Sequence, residues 1–204
     1  MTAARRRDLI LAAVLLALLA TQLAAFRWGV LTPDTIEQYG QALTGTYDDW
    51  HPPVTAWLWR LLIRLHEGSA PILLSDVALY WSGIGLIARH RLHHRGWLAA
   101  ALIIFVAALP IPFGQMGALL KDPLLAALCL LATGLILSKW RRAAILPLAL
   151  ATATRFNALF ATVPLLVALL PRAAFTNPIR RILAVAAATA SLATSAWLID
   201  DVYL

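Results

Sequence analysis

Apolar positions in this chain fall into long runs rather than at the spacing of one-sided helices or strands, with short polar or basic segments between them. Residues 9–26 form a first run, and 70–88, 97–112, 123–138 and 182–199 form four more. A helix that crosses a bilayer needs about 20 mainly apolar residues at about 1.5 Å of rise each. These runs therefore predict membrane helices. Residues 143–171 form a sixth apolar stretch with Arg155 and Asn157 near its middle. The pattern predicts two short helices turning near Arg155, each about 20 Å long and so shorter than the roughly 30 Å hydrocarbon layer. Their turn then belongs in a protein-lined cavity, because lipid-exposed irregular backbone leaves its polar groups unpaired. The fold class expected is all-α: a single polytopic membrane domain over 1–204 with about seven transmembrane helices, two of them short.

Residues 27–69 interrupt the pattern and form the longest polar excursion. Within them Ile36, Tyr39 and Leu43 recur at helical spacing, with Asp34, Glu37, Gln38 and Gln41 on the opposite face. This predicts an amphipathic helix at the membrane surface. The Asp34 to Glu37 spacing fits a capping box with Asp34 as N-cap, which would by itself explain an acid there. A second short helix is expected over 53–66, after the turn at Pro52-Pro53. It carries Arg60 and Arg64 on one stripe, with Trp57 and Trp59 as interfacial anchors.

Composition fits the same picture. Hydrophobic residues make up 61% of the 204 and charged residues 13%, about half the charged share of a soluble domain. The net charge of +7 does not indicate nucleic acid, because the basic residues cluster between apolar runs as the positive-inside rule expects. Arg5, Arg6 and Arg7 place the N-terminus in the cytoplasm of a bacterial-type inner membrane. Arg89 to Arg95, then Lys139, Arg141 and Arg142, then Arg172, Arg180 and Arg181 mark further cytoplasmic segments. The 27–69 loop and the Arg155 turn thereby fall outside. The N-terminal pattern resembles a signal peptide, but Ala24-Ala25-Phe26-Arg27 is a poor cleavage site and retention is expected. One cysteine, Cys129 in an apolar run, excludes a disulfide framework and a cysteine metal site.

Candidate chemistry gathers on the outer side. Asp48, Asp49 and His51 suit a divalent metal and equally suit a turn before Pro52-Pro53. Lys121-Asp122 opens the 123–138 run, where Lys121 either pairs with its neighbour, snorkels to headgroups or meets a ligand. Arg155 is expected to face a cavity and an anionic partner, since an arginine at a helix centre costs about 2.5–3.5 kcal/mol on insertion scales.

Pro33-Asp34, the run 41–53 through Asp48-Asp49-Trp50-His51-Pro52-Pro53, Lys121-Asp122 and Thr154-Arg155-Phe156-Asn157 together resemble the N-terminal membrane module of the GT-C glycosyltransferases. Protein mannosyltransferases and lipid A aminoarabinose transferases belong to that superfamily. The resemblance covers nearly the whole chain and implies a polyprenyl-phosphate sugar as donor, transferred to an unidentified acceptor outside the cytoplasm. It implies Asp34 as catalytic base, Lys121 and Arg155 on the phosphate, and Glu37, Gln38, His51 and Asn157 among the substrate contacts. Family members usually continue with more membrane helices and often an outer soluble domain, whereas this sequence ends at Leu204. A fragment, a minimal enzyme and a subunit needing a partner all remain open. The alternative function is a non-catalytic membrane subunit, or a flippase-like carrier, whose basic groups hold a lipid phosphate without chemistry. An ion-coupled transporter fits less well, as no internal repeat is visible.

Overall fold

In the computed structural model, described for residues 2–48, 50–155, 157–170 and 177–203, the chain is all-helical. The helices are α1 (Ala3–Ala25), α2 (Pro33–Thr44), α3 (Val54–Ile63), α4 (Ala70–Arg95), α5 (Trp97–Ala107), α6 (Pro110–Gln115), α7 (Lys121–Ile136), α8 (Ile145–Ala153), α9 (Leu159–Leu169) and α10 (Pro178–Tyr203). Among the described residues, three are long and apolar enough to cross a membrane: α1, α4 and α10. The apolar run expected over 97–112 is broken, because Pro110 cannot donate to the ladder and starts a new short helix. Tyr80 Oη donates to the Ala107 carbonyl freed by that break, at 2.7 Å.

Helix α4 is the central strut. Gly83 lets it approach α7 so closely that a Cβ would lie 2.5 Å from the Leu131 nitrogen, and Gly134 on α7 lies equally close to Leu86. With these pairings α4 and α7 run in the same direction, and Asp76 falls level with Leu124, about one turn below Lys121 at 1.5 Å per residue. On its other side α4 meets α1 antiparallel. Trp81 Nε1 donates to Gln22 Oε1 at 2.7 Å, Gln22 Nε2 donates to the Phe113 carbonyl at 2.6 Å, and Asp8 takes Arg89 and His93 at 2.9 and 2.8 Å. Gln22 is fully buried, and both halves of its amide are bonded as a buried polar group requires.

The loop after α1 is tied to the segment before α7. Val30 donates to the Gly117 carbonyl at 2.8 Å, Leu119 donates to the Val30 carbonyl at 3.3 Å, and Gly29 takes φ +67° where a Cβ would meet Leu119. This junction brings the start of α2 beside the start of α7. The C-terminal end of α2 is closed by Gly45 in the left-handed region, and Arg60 of α3 donates to the Ala42 and Leu43 carbonyls at 3.1 and 3.2 Å. Trp59 is 1% exposed and bonded to the Gly68 carbonyl, so it belongs to the core instead of anchoring at the interface as expected. The reason is register: on a ten-residue helix packed between α2 and α4, the stripe of Thr55 and Trp59 faces inward.

Helices α8 and α9 form the short hairpin expected around Arg155. Thr152 Oγ1 donates to Thr162 Oγ1 at 2.9 Å across their buried interface, and Arg141 reaches the Ala168 carbonyl at the opposite end. Arg172, used above to assign the hairpin's sidedness, lies outside the described residues.

Candidate functional site

Asp34 sits in the first turn of α2, but it is not the cap. Thr32 is the N-cap, and Thr35 completes the box, its hydroxyl accepting from the Thr32 amide at 3.2 Å. Pro33 takes the first helical position, where its missing N–H costs nothing. The expected capping box from Asp34 to Glu37 is therefore replaced by one shifted two residues earlier. Asp34 is left with a half-exposed carboxylate and no capping role.

The inward face of α2 is Thr35, Gln38, Gln41 and Ala42, while Ile36 and Leu43 are 63% and 53% exposed. A soluble amphipathic helix turns its apolar face to the core. Here Ile36 and Leu43 look away from the protein, while Tyr39 packs against Trp59 with ring centroids 5.0 Å apart. Glu37 is exposed on that outer side and does not join Asp34. Gln38 points inward, with neither amide atom bonded among the described residues.

Lys121 begins α7 and reaches back to the turn before α3, where Nζ lies 2.6 Å from His51 Nδ1. His51 is 6% exposed, and its Nε2 faces Asp34 Oδ2 at 3.5 Å. That separation lies within ion-pair range but beyond a formed hydrogen bond, and Nε2 makes no other bond. Three elements distant in sequence, α2, the turn before α3 and α7, thus place an acid, an imidazole and an ammonium in line. Asp48 is exposed and accepts from the Trp50 amide at 3.2 Å, a turn-forming contact. Asp49 lies outside the described residues. Among the described residues no group of three His, Cys, Asp or Glu side chains is placed to hold a metal ion.

Arg155, at the tip of the α8–α9 hairpin, pairs with Asp122 and donates from Nε to Asn157 Oδ1 at 3.2 Å. Asp122 is therefore the partner of Arg155 and leaves Lys121 to His51. Both members of the Arg155 pair are substantially exposed, so the pair is worth at most about 1 kcal/mol. Trp50, Pro52, Lys121, Arg155 and Asn157 line a cavity of about 170 Å³. The two cations expected on a phosphate share this wall, and Asp34 stands beside it across His51.

Asp76 went unremarked in the sequence despite lying inside an apolar run, where a charge is by default a functional signal. It is 1% exposed, and its Oδ1 has no hydrogen-bond partner among the described residues. Thr35 was also missed, since its role depends on a contact with α7 that no local pattern reveals. Comparison with family models, with curated proteins and with solved structures returned no match.

Proposed function

We propose that this chain is a membrane glycosyltransferase of the GT-C type, moving a sugar from a polyprenyl phosphate to an acceptor hydroxyl at the non-cytoplasmic face. The observation that carries the reading is the chain of contacts from Asp34 through His51 to Lys121, which shares with Arg155 the wall of one small cavity. In this reading the acceptor oxygen attacks the anomeric carbon while the carbon–oxygen bond to phosphate breaks, with its electron pair remaining on the phosphate. The acceptor's proton passes to Asp34, whose half-exposed carboxylate is open to a ligand. Lys121 and Arg155 neutralise the leaving phosphate, the arginine fork by exchanging the Asp122 carboxylate for phosphate oxygens. The topology that goes with it has seven membrane helices: α1, α4, α5 with α6, α7, the short α8 and α9, and α10. Helices α2 and α3 lie at the outer interface, and the N-terminus is cytoplasmic.

The test uses purified full-length protein in nanodiscs, with radiolabelled polyprenyl-phosphate sugars and detection of released polyprenyl phosphate. Asp34→Asn is expected to lower turnover about 10²- to 10⁴-fold, the range of general acid–base contributions, with polyprenyl-phosphate binding retained. Unchanged turnover removes Asp34 as base. A protein that binds the lipid phosphate through Arg155 yet transfers nothing, with or without Asp34, is a carrier and not a transferase.

A further inference from the structure

The geometry points to His51 as the positioning residue that aims the Asp34 carboxylate, locked into one tautomer by Lys121. This rests on the transferase reading for its consequence but on the ligand-free structure for its content. An ammonium has three donors and no acceptor, so at 2.6 Å Lys121 Nζ donates to Nδ1, and Nδ1 is the unprotonated nitrogen. The ring is then neutral, with its proton on Nε2, and Asp34 Oδ2 is the carboxylate oxygen 3.5 Å from that nitrogen. His51 is almost fully buried, and among the described residues Nε2 has no other acceptor, so the proton has one useful direction. At 3.5 Å the contact is loose, as catalytic contacts in ligand-free sites often are before substrate tightens them.

The consequence is a continuous line from the cavity to the acid. Lys121 lines the cavity and keeps further N–H donors for an anion there while one is committed to His51. An anion in the cavity that orders Lys121 also orders the imidazole and, through it, the carboxylate. His51 acts through Asp34 and does not itself take or give the transferred proton.

Glutamine distinguishes these roles. Its amide oxygen accepts from Lys121 and its amide NH₂ donates to Asp34, reproducing the locked tautomer without a titrating or strongly metal-ligating group. In the same transfer assay, His51→Gln is expected to keep turnover within about threefold of wild type. His51→Phe should lower kcat about 10- to 100-fold with little change in KM, the scale of a mispositioned catalytic group. Equal losses in the two variants would overturn positioning in favour of acid–base or metal chemistry. A second arm needs no substrate: ¹⁵N-histidine NMR of the full chain in nanodiscs, with the His51 signals identified by their loss in His51→Gln. A ring protonated on Nε2 alone, whose tautomer preference falls at least fivefold in Lys121→Met, supports the inference. A ring protonated on Nδ1, or a preference indifferent to Lys121, overturns it even if sugar transfer is observed. Absence of transfer by wild type with the expected NMR result would sink the transferase reading alone.

Discussion

The hydroxyl of Thr35 holds the site's two halves in register, and the reason lies just before α7. Leu119 precedes the N-cap Leu120, so its carbonyl stands outside the α7 hydrogen-bond ladder and needs a donor from elsewhere. Thr35 Oγ1 supplies it at 2.9 Å, across 84 residues, while also accepting from the Thr32 amide in the capping box. Thr35→Val keeps the shape and removes both roles. A buried carbonyl left without its donor costs about 1–3 kcal/mol, and loss of a cap about 1 kcal/mol. The expected destabilisation is therefore about 3 kcal/mol, large against the 5–15 kcal/mol of a typical domain. Thr35→Ser keeps the hydroxyl and loses one methyl, which costs about 1 kcal/mol. Unfolding in mixed micelles by titration with sodium dodecyl sulfate, followed by the fluorescence of the eight tryptophans, measures both variants. The reasoning fails if valine is as stable as wild type, or if serine loses as much as valine.

Two further outcomes test the packing and the sidedness. Gly83→Ala drives a Cβ into the backbone of Leu130 and Leu131, so it is expected to cost about 1–3 kcal/mol or more by overpacking; Gly40→Ala, with open space around its Cβ, should be neutral or stabilising by up to about 1 kcal/mol. Similar melting temperatures for the two would refute the close α4–α7 approach. In a Cys129→Ala background, Glu37→Cys and Asn157→Cys are expected to react with a membrane-impermeant maleimide from the same side and Arg91→Cys from the other; labelling of positions 37 and 157 from opposite compartments would end the common-site argument.

The helical character was legible in the sequence because membrane helices are set by local composition. A helix satisfies its own backbone hydrogen bonds, so an apolar run is recognised without a distant partner, although the run over 97–112 breaks at Pro110 and takes a bond from Tyr80. The hairpin at Arg155 was legible for a related reason, since a guanidinium in an apolar stretch marks a break in the span. The cap of α2 was misread: Asp34 to Glu37 and Thr32 to Thr35 both fit a capping pattern, and only the backbone at Thr32, extended before Pro33, separates them. Trp59 was assigned to the interface because enrichment of tryptophan there is statistical, whereas its burial follows from which stripe of α3 meets α2 and α4.

From the order of residues alone came the all-helical class, the candidate spans, the polar loop at 27–69 and the suspicion attached to Asp34, Lys121 and Arg155. Tertiary structure decided the partnerships: Asp122 with Arg155, Lys121 with His51, His51 facing Asp34, and Thr35 with the Leu119 carbonyl. The division has a physical basis. Hydropathy acts residue by residue along the chain, so its effects can be summed in sequence. A directional contact between groups 17 to 84 positions apart exists only after the elements that carry them have packed in one register.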